Sequence, residues 1–262
     1  MKIVVCVKQV PGTNNVEVDP VTGTLRRDGV ESKMNPYDLY ALELGLQLRD
    51  QHGGSVHVVS MGPNQAKAVL LEAVYMGADG GILLSDRKFA GADVLATSYT
   101  LVGGLKTLDF DLILCGKQTT DGDTAQVGPE MAEFLGIDHA TNVTQVLGLD
   151  ETQITVRLNL ENSVQVQQMK LPCLLCADKE INTPRLPSFR RKLQVQEAEC
   201  IRVISLADFS DQDELHYGLN GSPTHVEQIF PPEKKKYKEI YEGSGTELAE
   251  SAYELLLQKK FI

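Results

Sequence analysis

Residues 116–127 carry the densest run of chemistry-bearing groups in this chain. Gly116, Lys117, Gln118, Thr119, Thr120, Asp121, Gly122 and Asp123 follow an apolar run at 111–115 and lead into Thr124, Ala125, Gln126 and Val127. The last four, with Gly128 behind them, read as the opening of a helix. A strand, a polar glycine-bearing loop and a helix N-terminus together cradle a phosphate, because free amides point at the ligand and the helix dipole favours its charge. The loop is not a Walker A, since its Lys follows the first Gly and no Gly-Lys-Ser/Thr comes after. The plain alternative is that Asp123 or Thr124 merely caps the helix. Cys173-x-x-Cys176 formally matches a redox pair, but it sits in an apolar strand whose successive side chains alternate faces, so it reads as inert core. The histidines show no metal-ligand spacing, and no strand is followed by G-x-S-x-G, H-E-x-x-H or G-x-G-x-x-G.

Regular elements must hold that loop in place. Apolar runs at 2–7, 55–60, 81–84 and 111–115 read as strands, and 36–50, 64–76, 93–108 and 124–135 read as helices. The first helix has Asn35 at the N-cap, Pro36 at its first position, Leu39, Leu42 and Leu46 at helical spacing, and a stop at Gly53-Gly54. Continuous apolar strands separated by helices predict a doubly wound, largely parallel α/β sheet of Rossmann-like type. The runs 143–149, 153–160, 164–169 and 174–177 have turn-sized gaps, which predicts antiparallel strands in the second half. A hairpin is expected at 16–26, around Pro20 and Gly23. Ligands of such sheets lie beyond the carboxyl ends of the strands. Cys6 to Lys8, Asn35 to Asp38, Ser60 to Gly62, and Asp93 with Thr97 are therefore expected to share one edge with the 116–127 loop.

The overall balance narrows the partners. With 25 Lys and Arg against 36 Asp and Glu, the net charge is −11, which disfavours gripping nucleic acid or an anionic membrane through bulk charge. A small phosphorylated ligand stays open, because backbone amides can hold it. No run approaches the roughly 18 apolar residues of a membrane span, and the apolar opening is too short for a signal-peptide core. An odd count of 5 cysteines, mostly in apolar stretches, reads as reduced thiols in a cytoplasm. After residue 177 the character changes. Lys179, Arg185, Arg190, Arg191 and Lys192 surround Phe189, either as a solvated charge run or as a docking loop with an apolar anchor. Further on, Ser244-x-x-Glu247 fits a capping box that opens a last amphipathic helix.

The ordered set Val5-Cys-Val-Lys-Gln-Val10, Met34-Asn-Pro-Tyr-Asp38, Met61-Gly-Pro63, Met76-Gly-Ala-Asp79, Cys115-Gly-Lys-Gln118 and Asp121-Gly-Asp-Thr-Ala-Gln126 resembles the electron-transfer flavoprotein β subunit. The resemblance implies an adenine-nucleotide-binding α/β domain at 1–192, including a recognition loop at 178–192. A C-terminal arm at 193–262 would pack its helix on an α subunit. It further implies an obligate heterodimer whose α chain holds a mobile FAD. The stretches 121–128 and 87–97 resemble the electron-bifurcating, two-FAD group, although Val94 stands where Thr is common. By this resemblance Cys6, Asn35, Asp38, Met61 and residues 116–127 surround the adenosine and phosphates, and Asp93 and Thr97 serve the extra length of the dinucleotide.

NADH would be the donor. Ferredoxin or flavodoxin would take one electron and the α-chain FAD the other, on the way to an acyl-CoA or 2-hydroxy-acid (lactate-type) dehydrogenase. The chain would thus act as an NADH-dependent flavin oxidoreductase only within its complex, with no catalytic side chain and no metal of its own. Arg185 and Phe189 would meet the partner dehydrogenase. Two alternatives accompany this reading: a non-bifurcating β subunit with structural AMP in place of FAD, and a non-redox nucleotide-sensing α/β protein.

Overall fold

A computed structural model describes residues 1–12, 32–227 and 240–262. The hairpin expected at 16–26 lies outside them. The described chain forms two compact units, 1–227 and 228–262.

Unit one is built on a nine-stranded sheet. In chain order its elements are β1 (Lys2–Cys6), the short antiparallel pair β2 (Gln9–Pro11) and β3 (Ser32–Met34), α1 (Pro36–His52), β4 (Ser55–Met61), α2 (Lys67–Met76), β5 (Gly80–Leu84), α3 (Val94–Leu105), β6 (Leu112–Gly116) and α4 (Val127–Leu135). Then come β7 (Asp138–Leu149), β8 (Gln153–Leu160), β9 (Ser163–Lys170), β10 (Cys173–Ala177), α5 (Phe189–Gln194), α6 (Glu197–Cys200) and β11 (Ile201–Ile204). The sheet order is β11-β5-β4-β1-β6-β10-β7-β8-β9. Every neighbouring pair from β11 to β7 is parallel; β7-β8 and β8-β9 are antiparallel.

Strand β10 inserts between β6 and β7, parallel to both, although its sequence neighbours are antiparallel. Burial explains the placement. All five of its residues are buried, as a central strand demands, whereas β9 is mostly exposed and suits an edge. Strand β11 pairs with β5 inside this sheet, so the compact unit continues well past the boundary expected at residue 192.

Alternation along the strands divides the core. Ile3 and Val5 of β1, with Leu112 and Leu114 of β6, pack under α1 and α2. Val4 and Ile113 point the other way and pack under α3 and α4. Both faces are thus covered, which is why the strands read as unbroken apolar runs. In unit two, α7 (Gly245–Gln258) begins with the expected capping box: Ser244 Oγ and its N–H donate to Glu247 Oε2, and Glu247 N–H donates back to Ser244 Oγ. Among the described residues no helix is long and apolar enough to cross a membrane.

Candidate functional site

The chain runs β1, β4, β5 outward in one direction, then returns with β6 on the far side of β1. The β1/β6 boundary is therefore a topological switch point, where the loops leaving the two strands diverge and open a crevice. Cys6 closes β1 in register with Cys115, and Gly116 follows at the end of β6.

Two side chains at the start of α1 sew this edge together. Asp38, buried, accepts from the Lys8 N–H at 2.7 Å and from Asn35 Nδ2 at 2.9 Å. Asn35 is fully buried; its Nδ2 also donates to Gln118 O at 2.8 Å, and its Oδ1 accepts from Thr120 N–H at 3.3 Å. Asn35 thus stands at the expected N-cap position, yet its side chain caps nothing and holds the loop instead. A β-carbon on Gly116 would lie 2.4 Å from Asp38 Oδ1 and 2.6 Å from the Tyr37 carbonyl carbon, so only glycine lets α1 approach so closely. Burial pushes the Asp38 carboxyl up to about 7, against the opposing pull of the N–H groups of Asn35, Lys8 and Gly116.

Above this base the loop is open. Residues 120–126 are exposed, and Asp123 (φ 54°) and Ala125 (φ 56°) take left-handed backbone conformations. Those two residues interrupt the helical run, so α4 starts at Val127 rather than at Thr124. Its N-cap, Gln126, makes no side-chain cap, and neither Asp123 nor Thr124 supplies one. Asp123 accepts from Gln118 Nε2, and its N–H donates to Thr119 O at 3.0 Å. Lys8 Nζ meets Asp121 at 2.8 Å, an exposed pair, while Lys117 Nζ turns to Asp178 at 2.9 Å.

The remaining candidates fall along the same edge. Met61 ends β4, half-buried. Beside it Ser60, expected at this edge, is fully buried and its Oγ has no hydrogen-bond partner. Asp93 is the N-cap of α3, accepting from Ala96 N–H at 3.1 Å. Its second oxygen takes Thr224 N–H at 3.0 Å and Thr224 Oγ1 at 2.7 Å, and its own N–H donates to Ser222 Oγ at 2.8 Å. Thr97 is half-buried one turn on. Ser98, which the sequence reading missed, donates to Glu130 Oε2 at 2.9 Å and so sets the starts of α3 and α4 side by side.

Cys173 and Cys176 do not form a facing thiol pair. Cys173 packs in the α1 face of the core and Cys176 in the α4 face, on opposite sides of the sheet. Burial pushes both up to about 12. A hydrogen bond with Cys6, then burial, raises Cys115 as well. Among the described residues no group of three His, Cys, Asp or Glu is arranged to hold a metal.

The 178–192 stretch lies on the other side of α1. Arg185 places its guanidinium on Glu43 (2.8 and 3.1 Å) and Asp50 (3.1 Å), and Phe189 is 72% exposed.

These features define a doubly wound Rossmann-like α/β protein whose polar loops converge on the switch point. Comparison with known proteins makes the class specific. Residues 22–203 match the electron transfer flavoprotein domain. The chain is 45% identical over 262 residues, all of both chains, to the electron transfer flavoprotein subunit beta of Clostridium acetobutylicum. It is 42% identical over 265 residues to the caffeyl-CoA reductase-Etf complex subunit CarD of Acetobacterium woodii, again covering both chains fully. It is 43% identical over 245 residues to the protein FixA of Azorhizobium caulinodans, covering 91% of this chain and 87% of that one. The chain belongs to the electron transfer flavoprotein family, as a β subunit acting in electron transfer. The non-redox nucleotide-sensing alternative falls with that finding.

Proposed function

We propose that this chain binds FAD at the β1/β6 switch point and, with its α subunit, splits the two electrons of NADH between a low-potential acceptor (ferredoxin or flavodoxin) and the α-chain FAD. That second flavin would pass electrons to an acyl-CoA dehydrogenase or a lactate-type 2-hydroxy-acid dehydrogenase. The observation that carries the nucleotide reading is the 116–127 loop. It is fixed from beneath by Asn35, carries left-handed residues at 123 and 125, and ends on a helix N-terminus that no side chain caps. Such an edge offers backbone N–H groups to a diphosphate without needing net positive charge. The unpartnered Ser60 Oγ fits a group that gains its hydrogen bond from a ligand.

Bound FAD would supply hydride acceptance and one-electron release. This chain's residues bind and orient. Gly116 allows close backbone approach, residues 120–127 line the phosphates, and Cys6 and Met61 border the adenosine. Asp93 and Thr97 extend the site along the start of α3, beside the start of α4. No side chain here serves as acid or base.

One observation favours a second reading, structural AMP. The Asp93 carboxylate is already engaged by Ala96 and Thr224, which leaves it little capacity for a longer ligand. Co-expression with the α subunit, denaturation and a count of nucleotides separates the two. Two FAD and no AMP per heterodimer is expected, together with NADH-driven ferredoxin reduction. One FAD plus one AMP, and no reaction with NADH, overturns the bifurcation reading and the assignments of Asp93 and Thr97.

A further inference from the structure

A carboxylate buried on a helix needs a reason, since an unpaired buried charge costs several kcal/mol. Glu43 is that case. It is 4% exposed on α1 and takes three contacts from one residue: Arg185 N–H at 3.0 Å, Nε at 2.8 Å and Nη2 at 3.1 Å. Gln47 Nε2 holds its Oε1 at 3.0 Å from the same helix. One residue therefore fixes both the backbone and the guanidinium of Arg185, the bidentate geometry for which arginine is suited.

Other contacts pin the same segment. Asn182 Nδ2 donates to Tyr40 O at 3.0 Å and Ser188 N–H to Tyr75 O at 2.9 Å. Arg191 donates to Val74 O and Ala78 O, both at 2.9 Å. Two cations of the basic run are thus turned inward. What is left outward is apolar: Leu186 is 87% exposed, and Phe189 and Leu193, one turn apart on α5, are 72% each. Arg190 and Lys192 flank them, also exposed, on a chain of net charge −11. Tightly fastened backbone beneath exposed apolar side chains is a docking surface whose ordering cost is met before the partner arrives.

We propose that Glu43 is a positioning residue for partner docking. By clamping Arg185 it holds the 186–193 segment so that Leu186, Phe189 and Leu193 form one apolar surface, flanked by Arg190 and Lys192, for a partner dehydrogenase whose apolar cleft is bordered by carboxylates. The inference rests on the docking role given to this loop by the family resemblance, and it reassigns Arg185 from touching the partner to shaping the loop.

The test uses the intact heterodimer, with an acyl-CoA dehydrogenase and, separately, a lactate-type dehydrogenase as electron acceptors, and amide hydrogen exchange read over residues 182–195. Glu43→Gln should raise KM for the accepted dehydrogenase about tenfold, with kcat within about twofold. Exchange at 185–191 should rise while exchange at 116–127 and flavin content stay as in the wild type. Arg185→Lys, which keeps the charge but loses the fork, should give a smaller rise in KM. If Phe189→Ala raises KM and Glu43→Gln does not, the positioning role is wrong and the docking reading stands. If Phe189→Ala has no effect, or the wild type reduces neither dehydrogenase, the docking reading itself fails. A Glu43→Gln complex that loses flavin or unfolds, with Arg185→Lys leaving KM unchanged, makes the pair a support of the fold alone and overturns the proposal.

Discussion

Two loops flank α1, and they are held in opposite ways. The 116–127 loop is tied at its buried base by the neutral amide of Asn35, beside the ion pairs Lys8–Asp121 and Lys117–Asp178, and leaves residues 120–126 exposed. The 182–193 loop is stapled by ion pairs and backbone contacts through Arg185, Ser188 and Arg191, and leaves Leu186, Phe189 and Leu193 exposed between Arg190 and Lys192. On the proposed reading the first would bind with its main chain, and the second with its side chains. Two irregular stretches thus present different groups outward according to which of their groups are consumed internally. A buried neutral amide fixes the base of a loop without adding charge.

Variants can break that contrast, and the largest effect is expected at Asn35. Asn35→Ala removes its bonds to Asp38, Gln118 and Thr120 and leaves buried polar groups unpaired. A loss of about 3 kcal/mol in unfolding free energy is expected. Nucleotide retained by the purified heterodimer should fall with it, while exchange protection at 182–193 holds. Full retention of nucleotide by a folded Asn35→Ala complex would mean that the loop does not depend on its base. Phe189→Ala comes next: a rise of roughly thirtyfold in partner KM, about 2 kcal/mol, with stability within about 0.5 kcal/mol of the wild type and bound flavin intact. Unchanged partner turnover would take away the side-chain half of the comparison.

A smaller effect concerns pH. Burial raises the Asp38 carboxyl from its ordinary 3.8 to about 7, so the folded state holds that proton more tightly than the unfolded chain does. Its contribution is therefore fully present below about pH 4 and is lost as pH rises through about 7. Denaturant unfolding followed over that window should show the wild type losing stability from this group, and Asp38→Asn should flatten the slope even if it lowers the overall value. Parallel slopes in the two proteins would show that the carboxyl is already ionised at the bottom of the window.

Much of the framework was legible in the residues. The strand before the 116–127 loop, the helix begun by Asn35 and Pro36 and the capping box at Ser244 all lie close to where periodicity and cap chemistry put them. Local signals suffice there, because a strand or helix end is decided by residues a few positions apart. The same local view misjudged the start of α4. Nothing in Asp-Thr-Ala-Gln announces that Asp123 and Ala125 adopt left-handed conformations once Asn35 and Gln118 hold the loop. The division of labour among the cysteines was half visible: alternation separates Cys173 from Cys176, whereas the row Cys6, Cys115, Cys176 exists only because β1, β6 and β10 are neighbours.

By itself, then, the sequence determined which segments are strands and helices, which faces are apolar, and the ordered motifs that mark the family. Tertiary structure alone decided which distant groups meet. Glu43 and Arg185 are separated by 142 positions, Asn35 and Gln118 by 83, and Asp93 and Thr224 by 131. β10 crosses back from the antiparallel edge into the middle of the sheet. The physical reason is that burial and periodicity act on each segment separately, while the partner of a buried charge or amide is chosen by sheet order, which no local pattern encodes.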